Sequence, residues 1–442
     1  MSNLNPHSGI GNVDRVTVLI YLFLVFFGWL NIYSAAFNPG HPSIFDFDAE
    51  YGKQFMWILV SFALSAFILY IEGTFFIKFA GPIYAFFTML LILVLLIGKE
   101  VNGAKAWFGV GSFGIQPSEF SKVGVALFLA KYITDSGEQF KKWKTRIIAA
   151  MIIGVPALLI LRQPDVGSVL TFVAFILVMY REGLSGNVLI IGLGAIVFGV
   201  LSVVSGAGDI TLPFVGVQSG VWLLIIVVSV LGILSWILVR NFVVPRNRRP
   251  LYWILSISVV ASSLFSYSVS YMVDSVLEKH HKERIYVMLS LPVEREDAAY
   301  NSEMAKITVG SGGFIGRGYM DGPMTQNNFV PEQWTDFIFS AVAEEWGFVG
   351  SALIIALFCY LIIRIITIAE RQRSKFSRVF GYCVAMVFFM HLLINVGMVI
   401  GLAPIIGIPL PFFSYGGSAL MGFSMLLFIL LRLDAERLNI LR

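Results

Sequence analysis

The stretch VWLLIIVVSVLGILSWILV, residues 221–239, contains no charged residue. About 20 apolar residues in a helix span the hydrocarbon core of a bilayer, so this stretch predicts a transmembrane helix. The whole chain shares this character: its 442 residues are 57% hydrophobic and 13% charged, and its mean hydropathy is +0.83. Because soluble proteins are only about 45–50% apolar, the composition excludes a soluble fold and predicts an all-α, polytopic membrane protein.

Apolar runs of similar length recur along the chain and predict about twelve spans. Besides 221–239, clear runs lie at residues 18–35, 55–72, 79–98, 147–161, 166–180, 184–204, 251–273, 337–363, 379–401 and 417–433. A weaker run, 119–134, begins with polar residues. Counting it as a span puts every basic loop and both termini on one side, which the positive-inside rule identifies as the cytoplasm.

Charge and cysteine content exclude several classes of function. The net charge is only +4, and no stretch outside the short loops is basic enough to follow a nucleic-acid backbone. Cys359 and Cys383 both lie in apolar runs, so we expect neither a disulfide framework nor a metal cluster. Residues 1–13 lack the pattern of a cleaved signal peptide, so the first apolar run is expected to be an anchor. We expect residues 1–442 to form a single membrane domain.

Polar residues between positions 102 and 122 form the first candidate site. They are Lys105, Trp107, Gln116, Ser118, Glu119 and Lys122. A carboxylate such as Glu119 is favoured at a helix N-terminus, and Lys122 follows at the i,i+3 spacing of an ion pair. Two interpretations stay open: a capped, paired helix start, or the polar floor of a site on the outer face.

Other polar groups lie close to the same predicted face. Asp165, in a Gln-Pro-Asp turn, either caps the next helix or belongs to a site. The adjacent acids Glu344 and Glu345 begin an apolar helix and therefore need partners. Residues 404–418 are rich in proline and glycine, which predicts irregular backbone, and they include Ser414 and Ser418. Such backbone at membrane depth must be buried in protein or line a cavity.

The only long segment outside the predicted spans is 274–336, on the outer face. It is rich in glycine and carries several charged side chains, among them Asp297, Lys306, Arg317 and Asp336. A long loop in a compact protein is usually functional. The residues by themselves therefore leave two classes open: an enzyme acting on a lipid-linked substrate, or a transporter.

Together these motifs resemble the SEDS family (shape, elongation, division and sporulation), and its RodA branch more than its FtsW branch. The resembling segments cover nearly the whole chain: 103–107 (GAKAW), 116–119 (QPSE) with Lys122, 163–167 (QPDVG), 300–301 (YN) leading into Lys306, 310–313 (GSGG), 330–332 (VPE), 335–339 (TDFIF), 344–345 (EE) and 395–418. The chain departs from the family pattern at Ala106, where an arginine is usual, at Met304 and Ala305, where Gln-Ser is usual, and at Trp334, where a histidine is usual.

The resemblance implies a SEDS-type bundle with a ten-helix core, here enlarged by a two-helix insertion at about 221–273. It implies a peptidoglycan glycosyltransferase in the bacterial inner membrane, which polymerises lipid II outside the cytoplasm. Its implied partners are a class B penicillin-binding protein, which is the cross-linking transpeptidase, and other proteins of cell elongation. Two alternatives remain: a lipid II flippase, or a scaffold that only recruits the partner synthase.

The resemblance also assigns roles to residues. It places the essential carboxylate at Asp297, as the general base that activates the acceptor hydroxyl. The undecaprenyl pyrophosphate leaving group needs positive charge. Lys105, Lys306 and Arg317 are candidates, and a divalent cation such as Mg²⁺ or Mn²⁺ is an alternative that no residue spacing specifies. Substrate-binding roles fall on Trp107, Gln116, Ser118, Glu119 and Lys122, and cavity-shaping roles on Asp165, Asp336, Glu344, Glu345, Ser414 and Ser418.

Overall fold

The structure, a computed structural model, describes residues 12–101, 104–110, 113–212, 216–276, 282, 286, 289, 291 and 296–437. Its helices are α1 (Arg15–Ala35), α2 (Glu50–Tyr70), α3 (Gly73–Lys78), α4 (Ala80–Ile97), α5 (Pro117–Ser136), α6 (Trp143–Leu161), α7 (Val166–Thr171), α8 (Val173–Arg181), α9 (Gly186–Gly206), α10 (Val221–Phe242), α11 (Pro245–Tyr271), α12 (Glu296–Ser311), α13 (Pro323–Gln326), α14 (Ile338–Glu370), α15 (Lys375–Val399) and α16 (Gly417–Ala435). The strands are β1 (Lys99–Val101), β2 (Ala104–Val110), β3 (Phe113–Ile115), β4 (Asp209–Leu212) and β5 (Gly216–Ser219).

The predicted all-α, multi-pass membrane fold is confirmed. Ten helices in the described part of the chain are long and apolar enough to cross a membrane. The remaining predicted runs fall on α5, which starts with polar residues, and on the pair α7 and α8. All twelve runs therefore coincide with helices, and the count of twelve crossings stays a prediction.

Local sequence signals explain where several helices begin. Asp14 precedes α1, and its carboxylate accepts a hydrogen bond from the backbone N–H of Thr17 at 3.3 Å. Pro117 opens α5, where the missing N–H of proline costs no helical hydrogen bond. Asp165 caps α7 by accepting from the backbone N–H of Ser168 at 2.9 Å. Two of the polar motifs, at the start of α5 and at Asp165, therefore lie at helix starts.

Contacts divide the chain into two compact units, residues Met1–Leu184 with Asn301–Arg442, and residues Ser185–Tyr300. In the first unit α15 and α16 form the centre, and every residue of α16 except Met425 is buried. Aromatic rings pack edge to face there, as between Tyr21 and Phe412, whose centroids lie 4.9 Å apart. The polar residues of this unit are thus held by a closely packed helical core.

The second unit contains the long helices α9, α10 and α11, with β4 and β5 paired as an antiparallel hairpin. Most large apolar side chains of these helices are exposed, as expected for surfaces that face lipid. Gly232 of α10 lies against Val259 of α11, because a Cβ at Gly232 would come within 2.4 Å of Val259 Cγ2. The predicted insertion at 221–273 corresponds to α10 and α11, and its status as an insertion remains a prediction.

A short three-stranded sheet connects α4 to α5. Strands β1, β2 and β3 run antiparallel in that order, and Glu100 pairs with Lys105 across the first two. The sheet leads directly into Gln116 and the N-terminus of α5. It therefore fixes where the polar start of α5 lies in the first unit.

Candidate functional site

A buried ion pair stands near the start of α5. Glu119 and Lys122 are only 3% and 1% exposed, and Lys122 Nζ lies 2.8 Å from both carboxylate oxygens of Glu119. The i,i+3 spacing places both side chains on one face of the helix. Buried charges of this kind persist only when they are paired and hydrogen-bonded.

His391 of α15 extends this pair. Lys122 Nζ lies 2.9 Å from His391 Nε2, and His391 Nδ1 lies 3.0 Å from the carbonyl oxygen of Pro409. A carbonyl can only accept, so Nδ1 carries the proton and Nε2 accepts from the ammonium group. The ring of Phe423 covers the ammonium at 5.1 Å. The network joins α5, α15, α16 and the irregular segment before α16.

A second polar group surrounds Asp165. Its carboxylate accepts from Gln116 Nε2 at 2.9 Å and from Ser168 Oγ at 2.7 Å. The backbone N–H of Gln116 donates to Ser418 Oγ at 2.9 Å, and Ser168 Oγ lies 3.5 Å from Ser118 Oγ. The turn before α7 and the starts of α5 and α16 therefore meet at one place.

Glu344 is a fully buried carboxylate with several donors. It accepts from Ser311 Oγ at 2.9 Å and from the backbone N–H of Met324 at 2.9 Å. Thr325 donates both its backbone N–H and its hydroxyl, at 2.8 and 2.7 Å. A carboxylate so surrounded needs no cation, and it ties α12 and α13 to α14.

Glu345 has different partners. Its Oε1 accepts from the hydroxyl of Ser34 and from the backbone N–H of Met320 at 3.2 Å, while Oε2 has no hydrogen-bond partner among the described residues. Two residues further along, Gly347 interrupts α14 with φ 65° and ψ −165°. Residues 312–318 fill this break, where Arg317 and Gly318 donate their backbone N–H groups to the carbonyls of Glu344 and Glu345.

Two candidate cations of the first unit are exposed. Lys306 on α12 makes no hydrogen bond or ion pair with the described residues, and its Nζ would lie 2.7 Å from a Cβ placed on Gly401. Arg317 donates from Nε to the carbonyl of Ser311 at 2.8 Å. Both cations are therefore available to a ligand, whereas the ammonium group of Lys122 is already hydrogen-bonded to Glu119 and His391.

The other predicted residues hold local structure. On β2, Lys105 Nζ donates to the carbonyl of Leu96 at 3.1 Å, and the Trp107 ring packs on Gly114. Ser414 Oγ accepts from the backbone N–H of Leu410 at 2.8 Å. The carbonyl of Asp336 accepts from Asn395 Nδ2 at 2.8 Å, and Asn395 also donates to Ile408 at 2.7 Å.

Asp297 lies in the first turn of α12, and its side chain lies outside the part of the chain that the structure describes. No group of three or more His, Cys, Asp or Glu side chains in the described part could hold a metal ion. Among the cations predicted to bind substrate, Lys306 and Arg317 are the exposed ones.

Several residues that organise the segments before α7 and α14 were not predicted. Gln326 and Gln333 both donate their amides to the last turn of α1, as detailed below, and Ser168 joins the group around Asp165. Glutamine is common in loops, so the residue type alone did not mark Gln326 and Gln333 as structurally important. Ser168 stands three residues after Asp165, which is the capping spacing, and could have been found.

The chain is similar to proteins of known family. Residues 14–210 and 208–439 match the FtsW/RodA/SpoVE family, described as cell cycle protein. The peptidoglycan glycosyltransferase RodA of Treponema pallidum is 32% identical over 437 residues, which is 97% of this chain and 99% of that protein. The peptidoglycan glycosyltransferase MrdB of Escherichia coli K12 is 28% identical over 93% of this chain and 90% of its own length.

Solved structures share the fold. A chain of a peptidoglycan synthase complex, described for its coordination of polymerization and crosslinking, superposes with a TM-score of 0.66 at 23% identity, covering 96% of this chain and 98% of its own. The rod shape determining protein RodA of Thermus thermophilus gives a TM-score of 0.59 at 22% identity, covering 96% of this chain and 97% of its own.

Proposed function

This chain belongs to the FtsW/RodA/SpoVE family, and on that premise we propose that it is a peptidoglycan glycosyltransferase, which polymerises lipid II into glycan strands during cell elongation. The observation that carries the proposal is the extent of the Treponema match, which leaves almost no part of either chain without a counterpart. The polar groups around Asp165 and Glu119 also support the proposed function, because buried charges in a membrane protein mark functional regions.

Asp297 is the proposed general base. The 4-hydroxyl of the acceptor sugar attacks the anomeric carbon of the growing chain, and its proton passes to the carboxylate. The bond from that carbon to undecaprenyl pyrophosphate breaks, so the anomeric configuration inverts through a transition state with oxocarbenium character. The position of Asp297 in the first turn of α12 suits a carboxylate, which the helix dipole favours there.

The leaving pyrophosphate requires positive charge or hydrogen-bond donors. Lys306 and Arg317 supply it in this proposal, since both are exposed and neither is held in an ion pair with described residues. Lys105 is a weaker candidate, because its ammonium group already donates to Leu96. Mg²⁺ or Mn²⁺ remains an alternative source of charge that a substrate pyrophosphate could bring with it.

A transporter would be expected to line a path through the membrane with ionisable groups. On α16, however, Ser418 is followed by no charged residue until Arg432, and 14 residues of helix measure about 21 Å. The polar residue between them, Ser424, is engaged with the hydroxyl of Tyr21 at 3.0 Å. This distribution supports an enzyme over a flippase.

The proposal extends to location and partners. The protein lies in the bacterial inner membrane with both termini in the cytoplasm, and it works beside a class B penicillin-binding protein and other elongation proteins. One structural neighbour belongs to a peptidoglycan synthase complex, which supports such a pairing. A protein that served only as a scaffold would bind this partner without polymerising lipid II.

The decisive experiment gives purified protein lipid II in detergent, with a class B partner whose transpeptidase is blocked. Sidedness is lost in detergent, so a flippase has nothing to do. We expect glycan strands from the wild type and from Asp135→Asn, a matched change at an exposed site on α5, and none from Asp297→Asn. Addition of moenomycin should have no effect.

Equal melting temperatures of the three proteins will show that the loss is chemical. Polymerisation by a well-folded Asp297→Asn variant would remove Asp297 as the base. Absence of polymer with any partner, together with transfer of lipid II across liposome leaflets, would replace the enzyme by a flippase.

A further inference from the structure

A polar cavity of about 670 Å³ lies in the first unit, apart from the networks of Glu119 and Asp165. One wall is the connection between α1 and α2, with Asp48 and Glu50. The opposite wall is the segment before α14, with Asn328, Glu332 and Trp334. The volume falls within the range of small-ligand sites, about 300–1,000 Å³.

Two side-chain amides, those of the half-buried Gln326 and the buried Gln333, fix the segment before α14 to the end of α1. Gln326 Nε2 donates to the carbonyl and hydroxyl of Ser34 at 3.3 Å. Gln333, which is 1% exposed, donates to the carbonyls of Ala35 and Thr325 at 2.7 and 2.8 Å. The cavity is therefore preformed, and a ligand need not order its walls on binding.

The charge of the cavity lining restricts which classes of ligand can bind. Asp48, Glu50 and Glu332 contribute three carboxylates. His41 also lines the cavity, and its Nδ1 lies 2.7 Å from the carboxylate of Asp46. Lys53, outside the lining, lies 3.5 Å from Glu50. Burial and then the negative charges of Glu50 and Glu332 raise the pKa of Tyr415 to about 12, so these two carboxylates act on the same phenol. Such a lining repels a pyrophosphate and excludes the lipid-linked end of a substrate.

The remaining ligand classes are uncharged polar molecules and cations. Residues of the described chain provide no set of three ligating side chains for a metal ion. Trp334 contributes an aromatic side chain to the lining, and Asp48, Glu50 and Glu332 contribute carboxylate oxygens. The amide oxygen of Asn328 already accepts from Gln333 Nε2 at 3.0 Å. An aromatic face beside hydrogen-bond acceptors suits a sugar, whose C–H groups pack on the ring while its hydroxyls donate.

We propose that this cavity binds the uncharged N-acetylated saccharide of a glycan strand, with Trp334 as the packing surface and Glu332 as a hydrogen-bond acceptor. The inference rests on the proposed function for the identity of the saccharide. Held here, the strand dissociates more slowly between additions, so the cavity lengthens the product.

Binding is measured directly with N-acetylchitotetraose, by titration calorimetry on the detergent-purified full chain. Trp334→Leu and Glu332→Gln should each weaken binding about tenfold. The controls are Trp143→Leu, an exposed tryptophan on α6, and Glu138→Gln, an exposed acid after α5; both should bind as the wild type does. Glu332 is exposed, so its variant should fold even if Trp334→Leu does not.

The same titration on Asp297→Asn separates this inference from the glycosyltransferase itself. Saccharide binding should persist in that inactive variant, and Glu332→Gln should make shorter strands from lipid II than Glu138→Gln does. Polymer formation with no saccharide binding by the wild type overturns the inference while the proposed function stands. Binding of a lysine-containing peptide in place of the saccharide also overturns it, since the cavity would then recognise an ammonium group.

Discussion

At the scale of single residues, Lys122 shows how a charge is tolerated inside this protein. Its ammonium group contacts two carboxylate oxygens of Glu119, the ring nitrogen of His391 and the face of Phe423. Each contact replaces part of the hydration that burial removes. Truncating one partner of such a pair leaves the other charge uncompensated, which is more costly than the net stabilisation by the intact pair.

Glu119→Ala is therefore expected to lower the free energy of unfolding by about 3–5 kcal/mol. Chemical denaturation in detergent measures the loss, and Glu138→Ala at an exposed position is the matched control. The double change Glu119→Leu with Lys122→Leu should recover part of the stability, because neither charge then remains. Wild-type stability of Glu119→Ala would mean that the pair is accessible to water.

At the scale of elements, the break in α14 is stabilised by a glycine and by backbone hydrogen bonds from another segment. Gly347 has φ 65°, and a Cβ placed on it would lie 2.2 Å from the backbone nitrogen of Gly316. Phe348 and Val349 donate to the carbonyls of Gly313 and Phe314 at 3.0 and 3.1 Å. The segment before α14 thus takes over backbone hydrogen bonds that the interrupted helix gives up.

Gly347→Ala should consequently destabilise the protein by about 1–3 kcal/mol, through the strained φ and the contact with Gly316. Gly192→Ala is the control, because that glycine lies within α9 with open space around it. The control change should be neutral or slightly stabilising, since alanine favours a helix. Equal melting temperatures for both variants would contradict this account of the break.

The cap of α1 gives a prediction for pH. Asp14 accepts from Thr17 and pairs with Arg364 of α14, whose Nη2 lies 2.6 Å from Oδ1. Burial alone would raise the pKa of Asp14, but the hydrogen bonds from Arg364 and Thr17 lower it to about 2. The folded pKa lies below the unfolded value of about 3.9, so the stabilisation exists above pH 4 and disappears as the pH falls through 2.

Asp14→Asn should therefore cost roughly 1–2 kcal/mol at pH 6, after allowance for solvent screening. The difference from the wild type should shrink as the pH falls towards 2, where half of the wild-type carboxyl groups are protonated. Denaturation of both proteins across this range provides the measurement. A difference that stays constant down to pH 2 would assign the effect to packing.

At the scale of the whole molecule, the placement of basic loops predicts which segments face which side. Asn247, at the basic start of α11, is predicted to be cytoplasmic, and Asn327, after α13, is predicted to be external. Both side chains are exposed in the structure. In a background without Cys359 and Cys383, a cysteine at 327 should react with a membrane-impermeant reagent added to spheroplasts, and one at 247 should not. Labelling at 247, or none at 327, would overturn the twelve-span arrangement.

The sequence by itself determined the fold class and the positions of the long helices. Lipid offers no hydrogen-bond partners to the backbone. An apolar run such as 221–239 therefore forms a helix, in which its N–H and C=O groups pair with one another. It also located Glu119 with Lys122, because a pair three residues apart on a helix is a local relation.

Only the tertiary structure decided the relations between distant residues. The sheet formed by β1, β2 and β3 was not predicted, because pairing among three short strands depends on register and not on composition. Lys122 is hydrogen-bonded to His391, which lies 269 residues away in the sequence. Glu344 accepts hydrogen bonds from residues of the segment before α14. The cavity beside Trp334 likewise exists because Gln326 and Gln333 hold the segment before α14 against the end of α1. Such contacts arise from packing, which no single segment specifies.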